Sequence, residues 1–214
     1  MESIIKKLIE AKDYAGLEQM LSQNPALANE GLPYDEKNTT KAHPLHRLSD
    51  GVFSGTYADE EAVAMAKIFL KHGADINGNN PPDKTDTPLI AASSLHADKL
   101  AIFFIEQGAE LNHPGCHGGT ALHWAAWCGR PVPLKALVDA HAAVNKKCID
   151  FKATPLSWAI HGSREDGGKN IDNYLACVKI LLDAGADKNI VNEEGKTLIE
   201  ALGDDDRQLK ELLK

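Results

Sequence analysis

Four short segments of this 214-residue chain repeat one pattern. They read His43-Pro44-Leu45-His46, Thr87-Pro88-Leu89-Ile90, Thr120-Ala121-Leu122-His123 and Thr154-Pro155-Leu156-Ser157, with a fainter fifth at Thr197-Leu198-Ile199-Glu200. After an apolar run, a second pattern closes each of the first four. It reads His72-Gly73-Ala74-Asp75-Ile76-Asn77, Gln107-Gly108-Ala109-Glu110-Leu111-Asn112, Ala140-His141-Ala142-Ala143-Val144-Asn145 and Ala184-Gly185-Ala186-Asp187-Lys188-Asn189. The leading positions stand 44, 33, 34 and 43 residues apart. Two patterns recurring in register at this period restrict the chain to a stacked array, because one such unit cannot bury its apolar face alone.

Local chemistry supports helices between the two patterns. Thr87 and Thr154 are placed as N-caps, and Pro88 and Pro155 occupy a first turn, where a missing N–H costs nothing. Gly73, Gly108 and Gly185 follow second apolar runs such as Ile180-Leu181-Leu182 and suit the left-handed residue that closes a helix. His141 occupies that slot in the third full repeat, so its helix end is expected to be strained or differently closed. At the N-terminus, helices are expected over residues 2–11 and 14–22, with Leu8, Ile9, Leu17, Met20 and Leu21 buried. Asn24-Pro25 ends the second. Asp204, Asp205 and Asp206 precede Leu209, Leu212 and Leu213, as at the start of a last short helix. Counting both ends, six helix pairs are expected.

Thr-Pro-Leu-His, a helix, then Gly-Ala-Asp-x-Asn resembles the ankyrin repeat family over roughly residues 43–203. The resemblance implies an all-α ankyrin-repeat solenoid of about six helix-pair units with β-hairpin-like loops. As a single domain, 1–42 would be an N-terminal cap and linker, 43–196 four repeats, and 197–214 a C-terminal cap. It also implies a non-catalytic module binding a protein partner through its concave face, in an inhibitor, adaptor or immunity-type role. The family's variable positions fall on Asp50 and Gly51, Ser94 and Leu95, Trp127 and Cys128, and His161 and Gly162. Motif histidines His46 and His123 would brace the loops.

The departures from the repeat draw attention to themselves. The first and fourth repeats hold about nine or ten extra residues, near 49–59 and 161–173, rich in Gly, Ser and Asp and expected as loops. Such insertions either form part of a binding face or are tolerated surface length. Phe53 and Tyr57 favour contact. The tips vary too: 78–86 contains Pro81-Pro82, and 146–153 gathers Lys146, Lys147 and Lys152. Trp124 and Trp158 are expected to pack between neighbouring inner helices. Trp127 is expected to face a partner, as tryptophan does in binding hot spots. With His117 on the preceding loop, the candidate partner-binding residues are Trp127, Cys128, Ser94, Leu95, His161, His117, Phe53, Tyr57, Lys147 and Lys152.

Composition excludes other classes. A net charge of −8 argues against sequence-independent nucleic-acid binding. No run approaches the roughly 18 uncharged apolar residues of a membrane span. Four cysteines are too few for a disulfide scaffold, so reduced thiols and a cytoplasmic setting are expected; a monomer when free, without cofactors, is expected as well. Aromatics at 6% imply thin layers of Ala and Leu, which makes each tryptophan informative. The acidic stretch 183–206, with Glu193 and Glu194, reads as a solubilising cap or a landing surface for a basic partner. The alternative function is a small metal-binding or catalytic protein using His113, Cys116, His117, His123 and Cys128, although no second matched ligand pair follows His113-x-x-Cys116.

Overall fold

A computed structural model describes residues 4–35, 37–38, 40–78, 86–191 and 195–214. The expectations resting on Pro81-Pro82, Glu193, Glu194 and the start of the first helix lie outside the described residues. The chain divides into two compact units, Met1–Glu110 and Leu111–Lys214.

In the first unit the helices are α1 (Ile4–Glu10), α2 (Tyr14–Gln23), α3 (Pro44–Phe53), α4 (Asp59–Lys71), α5 (Pro88–Ser94) and α6 (Asp98–Glu106). They pair as α1 with α2, α3 with α4 and α5 with α6. Layers form as α3 packs on α5, and α4 packs on both α2 and α6. Ile5, Ile9, Leu17 and Leu21 are buried, whereas Leu8 and Met20 are only half-buried. One element escaped the sequence pattern: β1 (Leu32–Pro33) pairs antiparallel with β2 (Lys41–Ala42). Arg47 on α3 fastens this ribbon, its guanidinium donating to the carbonyls of Leu32 at 3.0 Å and Thr40 at 2.6 Å while pairing with Asp50 at 2.6 Å.

The second unit holds α7 (Ala121–Trp127), α8 (Pro131–Asp139), α9 (Pro155–Glu165), α10 (Ile171–Asp183) and α11 (Arg207–Leu213). Here α7 packs on α9 and α8 on α10, and α11 covers α10. Among the described residues the array comprises five helix pairs and a single terminal helix. The expected sixth pair lacks its first helix. Around Thr197 a turn forms instead, with Glu200 accepting from both the N–H and the hydroxyl of Thr197 at 2.8 Å.

The anticipated caps are in place. Thr87 Oγ1 accepts from the N–H of Ile90 at 3.3 Å and Thr154 Oγ1 from that of Ser157 at 3.4 Å. His43 stands in for threonine, its Nδ1 accepting from the N–H of Leu45 at 3.2 Å. His141 closes α8 as glycine closes the others, with φ 66° against 83–84° at Gly73, Gly108 and Gly185. Its helix end is therefore strained rather than differently closed. Asparagines then tie one repeat to the next. Asn77 Oδ1 accepts from Glu110 N–H at 2.8 Å, Asn112 from Ala143 at 2.9 Å and Asn145 from Asp187 at 2.8 Å. Asn29, outside any recognised motif, does the same for Asp75 at 2.7 Å.

The two insertions correct the sequence reading. They are mostly helix, not loop. α3 and α9 have 10 and 11 residues against 7 in α5 and α7, and α4 and α10 have 13 against 9 in α6 and α8. Connections grow only from three residues to five. Gly51 and Gly162, within the segments expected as loops, lie inside these helices, where neighbours approach too closely for a side chain. A Cβ on Gly51 would stand 2.1 Å from the Tyr57 ring, and one on Gly162 would stand 2.2 Å from the Trp127 carbonyl oxygen.

Candidate functional site

In the second unit, α7 and α9 lie side by side, and the segments that precede them, 115–119 and 146–153, meet above their N-terminal ends. The carbonyl of His117 accepts from the N–H groups of Ile149 at 3.1 Å and Asp150 at 3.2 Å, which fixes the second segment on the first. His123 locks the corner from below. Its Nδ1 accepts from Thr120 N–H at 3.1 Å, so its Nε2 carries the proton and donates to the Ala153 carbonyl at 3.2 Å. Burial pushes the pKa of this imidazole down to about 4, which keeps it neutral in that bracing role.

All three tryptophans of the chain meet here. Trp124 and Trp127 occur three positions apart on α7 and thus share a face, which turns towards Trp158 on α9. Trp158 is 5% exposed and forms the floor. Trp124 meets it edge-on at 5.2 Å and 84°, Trp127 at 5.8 Å and 72°, and Phe151 at 6.3 Å and 62°. Each such pair adds about 0.5–1.5 kcal/mol beyond area burial. Around them opens a pocket of about 750 Å³, also lined by His117, Asp150, Lys152, Ala153, Ser157 and His161. Asp150 accepts a hydrogen bond from His117 Nδ1 at 2.9 Å, and the His117 ring lies 5.3 Å from Phe151. Two of the pocket residues, His117 (φ 57°) and Lys152 (φ 50°), hold left-handed backbone without being glycine. The Trp124 indole N–H is buried and finds no acceptor among the described residues.

The candidate residues from the sequence fall in different places. Trp127, His117, Lys152 and His161 line this pocket, and partial desolvation lowers the pKa of His161. Cys128 is half-buried just past α7, and Lys147 is exposed beside the pocket's hairpin. Lys146 of the same basic tip is held by the Asn112 carbonyl at 2.6 Å. Trp158 packs as expected, but Trp124 does more, because it also walls the pocket. Phe151 and Ile149, 57% and 58% exposed, were missed: their tip was read for its lysines alone.

The remaining candidates belong to the first unit. Ser94 and Leu95 are half-buried at the end of α5, where the Ser94 hydroxyl donates to the Ala91 carbonyl at 3.1 Å. Phe53 is 62% exposed and touches the His96 ring edge-on at 6.1 Å. Tyr57 corrects the expectation. At 6% exposed, it is folded onto Gly51, its hydroxyl donating to the Arg47 carbonyl at 3.4 Å, so it is core. Asp50, Gly51 and Gly162 likewise serve internal packing and pairing.

Among the described residues no three His, Cys, Asp or Glu side chains converge as metal ligands would. Burial pushes the Cys128 thiol up to about 11, the opposite of what activates a nucleophile. Among the described residues no helix is long and apolar enough to cross a membrane.

Family models for "Ankyrin repeats (3 copies)" and "Ankyrin repeat" match residues 56–148 and 152–193. Palmitoyltransferase Hip14 of Drosophila melanogaster is 29% identical over 118 residues, 55% of this chain and 17% of that protein. Ankyrin repeat and SOCS box protein 6 of Mus musculus is 32% identical over 121 residues, 55% of this chain and 27% of that protein. This chain therefore spans only a minor part of either relative. A crystallised ankyrin repeat domain from Acinetobacter baumannii superposes with a TM-score of 0.74 at 25% identity, covering 97% of this chain and 94% of that one.

Proposed function

Because the chain belongs to the ankyrin repeat family, whose repeats are generally protein–protein interaction modules, we propose that it is a non-catalytic binding protein whose partner docks on the tryptophan pocket of residues 111–214. One observation supports this most: in a chain with 6% aromatics, every tryptophan borders one open pocket, with Phe151 exposed on its rim. A purely structural cluster would close over its rings, since exposed aromatic surface costs free energy in water unless something covers it. Trp also dominates binding hot spots. The left-handed backbone at His117 and Lys152 is strain kept where contact is made.

His161, the seventh residue of α9, stands where Trp127 stands on α7, and both line the pocket. Action would consist of occupying the partner's surface, as an inhibitor or adaptor does. The preformed array loses little entropy on binding.

The test is a binding comparison using partners recovered by crosslinking in cells that make the protein. Phe151→Ser, which removes an exposed side chain, should abolish recovery of the specific partner, while Phe53→Ser in the first unit should not. Undiminished recovery with Phe151→Ser would refute the reading.

A further inference from the structure

We propose that the tryptophan pocket receives an arginine side chain of the partner protein. The inference rests on the reading of this pocket as the docking surface, and adds the chemistry of its occupant.

Three indoles, the Phe151 ring and one carboxylate, that of Asp150, stand among the residues lining the pocket. Indole is the ring that attracts cations most strongly, through the negative potential above its face. Asp150 is the single acidic residue among the lining side chains, and among the described residues its ion-pair partner is His117 rather than any lysine or arginine. An uncharged occupant would cover that carboxylate and strip its water without replacing it, which is costly. A cation meets both features at once.

Arginine fits better than lysine. A lysine ammonium is a compact, strongly hydrated charge that loses much on leaving water. Guanidinium is weakly hydrated, stacks flat on an indole and reaches a carboxylate with its edge. The volume, about 750 Å³, lies within the roughly 300–1,000 Å³ typical of ligand sites and leaves room for backbone on either side of one arginine. Lys152 opposes the cation from the rim. It is exposed on a long stem, so it can swing into water, and its removal should strengthen binding.

The test uses the full chain and its intrinsic fluorescence. All three tryptophans line the pocket, so indole emission reports this site alone. N-acetyl-L-argininamide should shift the emission with a Kd on the order of 1 mM. N-acetyl-L-citrullinamide, of the same shape but uncharged, and N-acetyl-L-lysinamide should each bind at least about threefold more weakly. Asp150→Asn should weaken the arginine derivative at least about threefold and Lys152→Met should tighten it. Both positions are exposed, so neither change threatens the fold. The inference is overturned if citrulline binds as well as arginine, if arginine causes no shift, or if Asp150→Asn changes nothing. Each of those results leaves the docking surface standing, because that reading falls only if Phe151→Ser leaves the partner complex intact.

Discussion

Replacing Gly162 by alanine sets two physical arguments against each other. Gly162 lies within α9, and Gly→Ala inside a helix ordinarily stabilises by about 1 kcal/mol through the lower entropy of the unfolded chain. Here the new Cβ would stand 2.2 Å from the Trp127 carbonyl oxygen, 3.0 Å from its carbon and 3.1 Å from its Cα. These are backbone atoms, so no side chain can rotate away. Relief requires α7 and α9 to separate by about 1 Å, and overpacking of this kind costs roughly 1–3 kcal/mol. The same carbonyl accepts the Tyr174 hydroxyl at 3.1 Å, and disturbing that bond adds about 0.5–1.5 kcal/mol. The losses exceed the gain, so Gly162→Ala should destabilise by about 1–3 kcal/mol. Urea unfolding followed by tryptophan emission measures it directly, because the contact borders Trp127. A variant as stable as the parent, or more so, would show that α9 does not press on α7 as described.

Other expectations follow from the same geometry. His141→Gly should stabilise by about 0.5–1 kcal/mol, because glycine adopts the φ of 66° without the clash of a Cβ while giving back part of that gain as unfolded-state entropy; an unchanged or lower midpoint in urea would contradict it. Trp127→Ala, which removes a half-buried ring and one edge-on contact, should cost about 1–2 kcal/mol, whereas Trp158→Ala, at the floor, should cost about 3–5 kcal/mol. Equal losses would erase the distinction between wall and floor. Burial holds His43 and His123 near pKa 4, below the ordinary 6.5, so the unfolded chain binds protons that the folded one refuses. Each unit should therefore lose stability as pH falls from about 6.5 to 4, by about 2 kcal/mol at pH 5 for each histidine. Unfolding free energies that match at pH 5 and pH 7.5 would argue against the buried neutral imidazoles.

The recurring tetrapeptides and the Gly-Ala-Asp-x-Asn closures specified the helix pairs, their caps and their order. Those signals act within four residues: Thr87 caps Ile90, Pro88 fits a first turn, and Gly108 closes the helix just before it. Even the irregular His141 could be read, because backbone sterics at a helix end are local. The apolar spacing at the N-terminus likewise placed Ile9, Leu17 and Leu21 in the core.

What depended on contact between separate segments had to be seen. Gly162 looks like a loop residue until Trp127, 35 positions earlier, is found pressing on it. Tyr57 looks like a contact residue until Gly51 makes room for its ring. Trp124 and Trp158 were expected to pack together, but their shared pocket with Trp127 and Phe151 arises only once the His117 carbonyl fixes the hairpin above them. Asn29 bridges to Asp75 over a separation of 46 residues with no motif to announce it. Backbone propensity and capping are properties of neighbours in sequence, so the chain itself marked where its regular helices start and close, though not how far the insertions lengthen α3, α4, α9 and α10. Close approach, pocket formation and burial depend on which surfaces the stacked array brings together, and the tertiary structure alone decided those.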